Sequence, residues 1–139
     1  MGETDMGLIG KRVSRPNAKR LVVGRGRYSD DIQLPRMVHV AFARSPHAHA
    51  RIQSIGKTAA QASDGVVAVM TGAELSKMCR PWTGGAAHIP SLRSPEQHAM
   101  AVDVVRWQGE PVAAVVATSR ALAEDAIDLL VIDWIPLPA

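Results

Sequence analysis

His47 and His49 stand two residues apart in the run Arg44-Ser45-Pro46-His47-Ala48-His49-Ala50. On a strand, residues i and i+2 share a face, so both imidazoles could reach one metal ion. No carboxylate or cysteine lies nearby in the sequence. A small zinc hydrolase built on the pair therefore needs ligands converging from elsewhere, and histidines bonded to backbone are the simpler assignment. Cys79 is the only cysteine, with Arg80 beside it and His88 further along. A catalytic thiolate needs a base or cation held against it, which sequence adjacency does not supply. A lone cysteine also excludes an internal disulfide framework and any Cys-rich zinc or iron–sulfur site made by this chain alone. Glu110, between Gly109 and Pro111 at the mouth of an apolar run, is the carboxylate to follow; its structural alternative is a turn residue accepting backbone N–H bonds. Gly24-Arg25-Gly26-Arg27-Tyr28-Ser29 begins like a phosphate-cradling loop but lacks a third glycine and a following helix, so a turn with two glycines fits better. No GxSxG, P-loop or HExxH pattern is present.

The elements that would carry these residues can be read from periodicity. Residues 1–36 hold Gly7, Gly10, Pro16, Gly24, Gly26 and Pro35 and read as an extended arm, with a short strand piece near Leu21-Val22-Val23. Met37 to Ala43 has strand length and is stopped by Ser45-Pro46. Ala48, Ala50 and Ile52 alternate with His49, Arg51 and Gln53, a half-buried strand running to Ile55. A short Ala-rich helix over residues 57–62 follows, then the strand Val66–Met70. Thr71 and Glu74 have capping-box spacing and open a helix to about Met78. Residues 79–98 are irregular, a length that in a compact domain points to function or to packing on a partner. Val104–Trp107 resumes strand character. Val112–Ala117 is a continuous apolar strand expected at the centre of a sheet. Thr118 or Ser119 caps a helix to about Leu130 whose apolar face is Leu122, Ala126, Leu129 and Leu130. Val131–Ile135 is the last strand. The order predicts an α+β domain with a mixed sheet rather than a doubly wound α/β fold.

Composition narrows the classes. The 139 residues suit one domain, and 47% hydrophobic residues can build a core. Aromatics make up only 4%, so that core must come from Ala, Val, Ile, Leu and Met. The longest apolar run, Pro111–Ala117, is too short to cross a bilayer. The acidic start Met1-Gly2-Glu3-Thr4-Asp5 lacks the basic-then-apolar layout of a signal peptide, and a cytoplasmic location is expected. The net charge of +3 hides an asymmetry: residues 1–36 carry eight Lys/Arg against four acids, and residues 101–139 carry two against six. A basic arm could dock an acidic protein or nucleic acid, although without interleaved aromatics it makes a poor stacking platform for nucleic acid.

Several segments together resemble a known family. They are Ile9-Gly10-Lys11-Arg12-Val13, Gly24 to Ile32, Ala43 to Ile52, Gly65 to Gly72, Gly109 to Ala117, and Val131 to Pro138. In this order and spacing they are similar to the N-terminal α/β hammerhead domain of the molybdenum-binding large subunits of the xanthine dehydrogenase, aldehyde oxidase and carbon monoxide dehydrogenase family. The resemblance implies an extended arm over residues 1–36 and a hammerhead domain over 37–139. It implies a full complex that hydroxylates an aldehyde or N-heterocycle, or oxidises carbon monoxide, with a molybdenum–pterin centre, [2Fe-2S] clusters and FAD. Those groups, and the family's catalytic glutamate, belong to larger domains expected to begin where this sequence ends, and to iron–sulfur and flavin subunits. No catalytic, cofactor-binding or metal residue is therefore expected in this chain. Arg44, His47, His49 and Glu110 become scaffold and interface positions, and the loop at residues 79–98 is shaped by the particular partner or substrate. The expected function is that of a structural or assembly domain, or small subunit, of a molybdenum hydroxylase; the alternative is a binding module that uses its basic arm.

Overall fold

The computed structural model describes residues 9–85, 89 and 91–138. The chain divides into two compact units, Met1–Pro35 and Arg36–Ala139.

In the first unit, Ala18–Val22 forms a short helix, α1, and Ser29–Asp31 one turn of 3-10 helix. The strand piece expected at Leu21-Val22-Val23 is thus helical. Branched residues favour a strand only where a neighbouring strand takes up the backbone bonds. Here they close locally, Leu21 N–H on Asn17 O at 3.1 Å and Val23 N–H on Lys19 O at 3.2 Å. Gly24 follows at φ +72°, a left-handed turn that glycine adopts without strain.

Among the described residues, the second unit contains six strands and three short helices. The strands are β1 (His39–Arg44), β2 (Ala50–Gly56), β3 (Val66–Thr71), β4 (Val104–Val105), β5 (Pro111–Ala117) and β6 (Val131–Pro136); the helices are α2 (Thr58–Gln61), α3 (Gly72–Leu75) and α4 (Arg120–Ile127). The expected mixed sheet is instead two three-stranded sheets, β1-β5-β3 and β4-β2-β6, in which every pair is antiparallel. The α+β hammerhead class is unchanged. The chain leaves the first sheet at the corner 45–49, so β1 and β2 belong to different layers and no parallel crossover is needed. β5 is central, as its unbroken apolar run predicts.

The core is made of small residues. Val105, Val112 and Val115 are fully buried, with Ala43, Ala50, Ala60, Ala101, Ala113, Ala123 and Ala126 around them. Ile52, Ile132 and Trp134 of the second sheet, Ile127 at the end of α4 and Leu130 just before β6 pack against this cluster. α4 is capped by Ser119, whose Oγ accepts from Leu122 N–H at 3.3 Å. It ends at Ile127, earlier than the expected Leu130, and its buried side is Ala123 and Ala126. The closing turn leaves Leu129 42% exposed, so Leu129 drops out of the expected apolar face. β4 ends at Val105 rather than Trp107, because the Arg106 N–H turns to the Glu110 carboxylate instead of a neighbouring strand. The Thr71–Glu74 capping box forms as the spacing predicts, with Thr71 N–H on Glu74 Oε2 at 2.9 Å and Glu74 N–H on Thr71 Oγ1 at 3.3 Å, although α3 itself is only one turn long.

Candidate functional site

The chemistry-bearing residues meet at the corner where β1 leaves its sheet and the turn into β5 begins. Ser45 N–H donates to Glu110 O at 2.9 Å, and Gly109 N–H donates to Ser45 O at 2.8 Å. The Arg44 guanidinium donates from Nη1 to Gly109 O at 2.9 Å and lies over the Phe42 ring at 5.7 Å. Ser45 is buried, and its hydroxyl serves the backbone twice, donating to His47 O at 2.8 Å and accepting from His47 N–H at 3.0 Å. Gly109 sits at φ +88°, which makes glycine the natural residue for this turn. Glu110 is 4% exposed, and its Oε2 accepts from Arg106 N–H at 2.5 Å. It is the turn carboxylate of the structural alternative.

The two histidines diverge. Residues 46–49 form a bent segment and β2 begins only at Ala50, so the strand rule that would align them does not apply. His47 packs edge-on against Trp134, ring centres 5.6 Å apart at 68°. His49 Nδ1 lies 2.5 Å from Pro138 O, so that nitrogen carries the proton and donates, while His49 O accepts from Leu137 N–H at 3.0 Å. Among the described residues, no three His, Cys, Asp or Glu side chains are grouped as a metal ion would need. Cys79 is exposed with its Sγ 3.4 Å from Leu75 O; His88 lies outside the described residues.

Two features escaped sequence reasoning. The irregular stretch 79–98 is pinned across its neck: Trp82 and Gln97 exchange two backbone bonds of 2.9 Å, and Gly84 N–H reaches Ser94 Oγ at 3.0 Å. Its end borders a cavity of about 260 Å³ lined by Glu96, Gln97, His98, Arg106, Trp107 and Glu110, among others. Only the fold brings 96–98 beside 106–110, and no short-range spacing signals it. The second feature is the Lys57 Nζ–Glu74 Oε1 ion pair, which ties the end of β2 to α3. The Lys57 ammonium, and after it the Thr71 N–H, hold the Glu74 carboxyl at about 2 instead of its ordinary 4.5. In the first unit, Lys19, Arg20 and Arg25 line a separate open cavity of about 570 Å³ with Pro16 and Val23. No described helix is long and apolar enough to cross a membrane.

Residues 23–138 match the family described as aldehyde oxidase and xanthine dehydrogenase, a/b hammerhead domain. The chain belongs to this family. It is 44% identical over 125 residues to the nicotine 6-hydroxylase large subunit of Paenarthrobacter nicotinovorans, covering 88% of this chain and 15% of that one. It is 40% identical over 130 residues to the carbon monoxide dehydrogenase large chain of Afipia carboxidovorans, covering 94% and 15%. The fold superimposes on quinoline 2-oxidoreductase from Pseudomonas putida 86 with a TM-score of 0.86 and 43% identity, covering 91% of this chain and 16% of the other. The hammerhead chain thus spans about one sixth of the length of the relatives it matches. The corner, the cavity between residues 95–98 and 106–110 and the Lys57–Glu74 pair all lie inside the matched region.

Proposed function

We propose that this hammerhead domain is a non-catalytic assembly segment of a molybdenum hydroxylase-type oxidoreductase, with residues 1–36 as an arm and 37–139 as the domain proper. The full complex would oxidise an aldehyde, an N-heterocycle or carbon monoxide in the cytoplasm. The observation that carries this reading is what the polar corner does with its groups. Arg44, Ser45, His49 and Glu110 each bond the chain's own backbone, and His47 lies against Trp134. Side chains engaged in this way satisfy the backbone of the turns that link the two sheets, the work of scaffold positions.

The donor set of this chain does not fit the family's redox groups. An iron–sulfur cluster needs several thiolates, and the sequence has one cysteine. The imidazoles point to different partners. We therefore assign molybdenum–pterin, [2Fe-2S] and FAD to other domains or subunits, with which this one packs. One relative, named a putative xanthine dehydrogenase molybdenum-binding subunit of Escherichia coli, is 34% identical over 125 residues, which make up only 17% of its length and leave room there for a molybdenum site outside the matched segment.

The test is isolation of the 139-residue chain, metal analysis, and assay with an aldehyde, a purine, a pyridine-type heterocycle and carbon monoxide. The chain alone is expected to bind no molybdenum and to turn over none of them. A molybdenum-binding polypeptide is expected to be continuous with it or to co-purify with it. Stoichiometric molybdenum or turnover by the chain alone refutes the proposal. The cationic cavity at Lys19, Arg20 and Arg25 favours one second reading, an arm that docks an acidic partner or nucleic acid. It requires salt-sensitive binding that weakens when Lys19, Arg20, Arg25 and Arg27 are neutralised.

A further inference from the structure

An antiparallel sheet with one face in water alternates apolar and polar residues along each strand. The β1-β5-β3 sheet does not. Its inner face is set by Val115, packed with Val69 and Ala126. Register then places the opposite face: Val40 pairs with Val116, Phe42 and Met70 with Ala114, and Ala68 with Val116. Every one of these outward residues is apolar. Val40 is 51% exposed and Phe42 44%, with Val38 beside them at 45%. Ala114 and Ala68 make a low floor flanked by Phe42 and Met70. Arg44 stands at one end with its guanidinium laid on the Phe42 ring. The sequence of β5, Pro-Val-Ala-Ala-Val-Val-Ala, is that of a strand covered on both sides, whereas α4 and the second sheet cover one.

We propose that this outer face, centred on Val40, Phe42, Met70 and Val116, is the seat on which the domain docks the molybdenum-binding part of its assembly, through an apolar, uncharged surface of that partner. The inference rests on the assembly reading above and names its contact. Its occupant follows from proportion: the matched large chains carry this fold as 15–16% of their length, so a large protein surface is available to the face. It also follows from charge, because the strand residues on this face other than Arg44 carry none, so a polyanion or a hydrophilic protein finds nothing to bind.

The experiment combines the chain with the purified molybdenum-binding polypeptide, molybdenum being quantified in both. Val40→Lys and Phe42→Glu are compared with Val131→Lys, a change at an exposed apolar residue on β6 of the other sheet. The two face variants are expected to lower affinity at least about tenfold, as truncating a central anchor does, and Val131→Lys to leave it unchanged. Far-UV circular dichroism and melting of the free variants establish that they fold; Met70→Lys replaces any that does not. If domain and partner are one continuous polypeptide, the same changes are made in it and read as lost hydrogen-exchange protection of β1. Wild-type affinity, or wild-type protection, in the face variants overturns the proposal. So does a wild-type chain that sediments as a dimer split by Val40→Lys, which would give the face to a second copy. Failure of the wild-type chain to engage any molybdenum-binding polypeptide instead removes the assembly reading itself.

Discussion

A single methyl group at position 72 tests how firmly α3 is set against the segment 100–101. A Cβ on Gly72 would lie 1.9 Å from Ala101 O, 2.7 Å from its carbonyl carbon and 3.0 Å from Met100 O. The nearest comfortable carbon–oxygen approach is about 3.3 Å, so one side must retreat by roughly 1.4 Å. The obstruction is backbone, not the flexible end of a side chain. Met100 and Ala101 are both 3% exposed, and Ala101 N–H donates to Pro111 O at 2.8 Å, which ties the segment to β5. Retreat strains that bond, at about 1 kcal/mol, and unpacks a filled interior, at about 1–3 kcal/mol. Alanine's better helix propensity returns about 0.5–1 kcal/mol at most. The steric terms win, and Gly72→Ala is expected to destabilise the domain by about 1.5–3 kcal/mol in urea unfolding followed by tryptophan fluorescence. Gly85→Ala is the control, because a Cβ there meets nothing within 4 Å; its expected effect is within about 0.5 kcal/mol. Gly72→Ala unfolding within the same margin as wild type would refute the reasoning, since α3 would then slide freely away from residues 100–101.

Glu110→Ala strands the Arg106 N–H beside a buried turn and should cost about 1–3 kcal/mol; Glu110→Gln keeps a carbonyl acceptor and should cost less, the comparison being made by the same unfolding assay. The Glu74 carboxyl has a folded value of about 2 against 4.5 ordinarily, so its pairing stabilises fully above about pH 5 and is lost as pH falls from 4.5 towards 2. Glu74 is 44% exposed, so solvent screening keeps this contribution below about 1 kcal/mol, and Glu74→Gln should flatten that part of the stability–pH curve. His49→Ala loses the bond to Pro138 O and should loosen the end of β6, seen as faster exchange at Leu137, with no change in zinc content; stoichiometric zinc lost in His47→Ala would restore the metal reading.

What the sequence made legible follows from the range of the interactions involved. The β5 run, the Ser119 cap and the Thr71–Glu74 box are local signals, and each forms where its spacing predicts. The aromatic-poor composition likewise foretold a core drawn from Ala, Val, Ile, Leu and Met, of which Ala and Val supply most of the fully buried residues. Misreadings came where a local preference met a non-local partner, or lacked one. Leu21-Val22-Val23 has strand-forming residues, but its backbone bonds close locally in α1. Val104–Trp107 has them too, but the Glu110 carboxylate captures the Arg106 N–H and ends β4 early. The histidine pair could have shared a metal only on a common strand face, and the bent segment 46–49 denies them one, in keeping with the simpler assignment. The single mixed sheet failed for a related reason: strand order along the chain does not encode which layer each strand joins after the turn at residues 45–49. The cavity between 96–98 and 106–110, and the Lys57–Glu74 pair, join positions 8 or more residues apart with no periodic signature.

The concentration of polar side chains at the corner has its own physical cause. A strand satisfies its backbone groups by laddering, and at 45–49 and 106–110 the ladder stops while the backbone is still close to the core. Side chains must then take over: the Ser45 hydroxyl serves His47, the Glu110 carboxylate serves Arg106, and the Arg44 guanidinium serves Gly109. Residue types that elsewhere perform chemistry are thus required here by the geometry of a chain passing between two sheets. Ser45→Ala separates the two roles. It removes the acceptor of the His47 N–H, so exchange at that amide should rise while the Ser45 and Gly109 amides, which bond backbone carbonyls, stay slow. Activity of the assembled oxidoreductase should fall no further than the loss of assembled protein accounts for. A Ser45→Ala assembly with normal content and stability but a collapsed turnover number would show that the corner reaches the chemistry after all, and would overturn its assignment as scaffold.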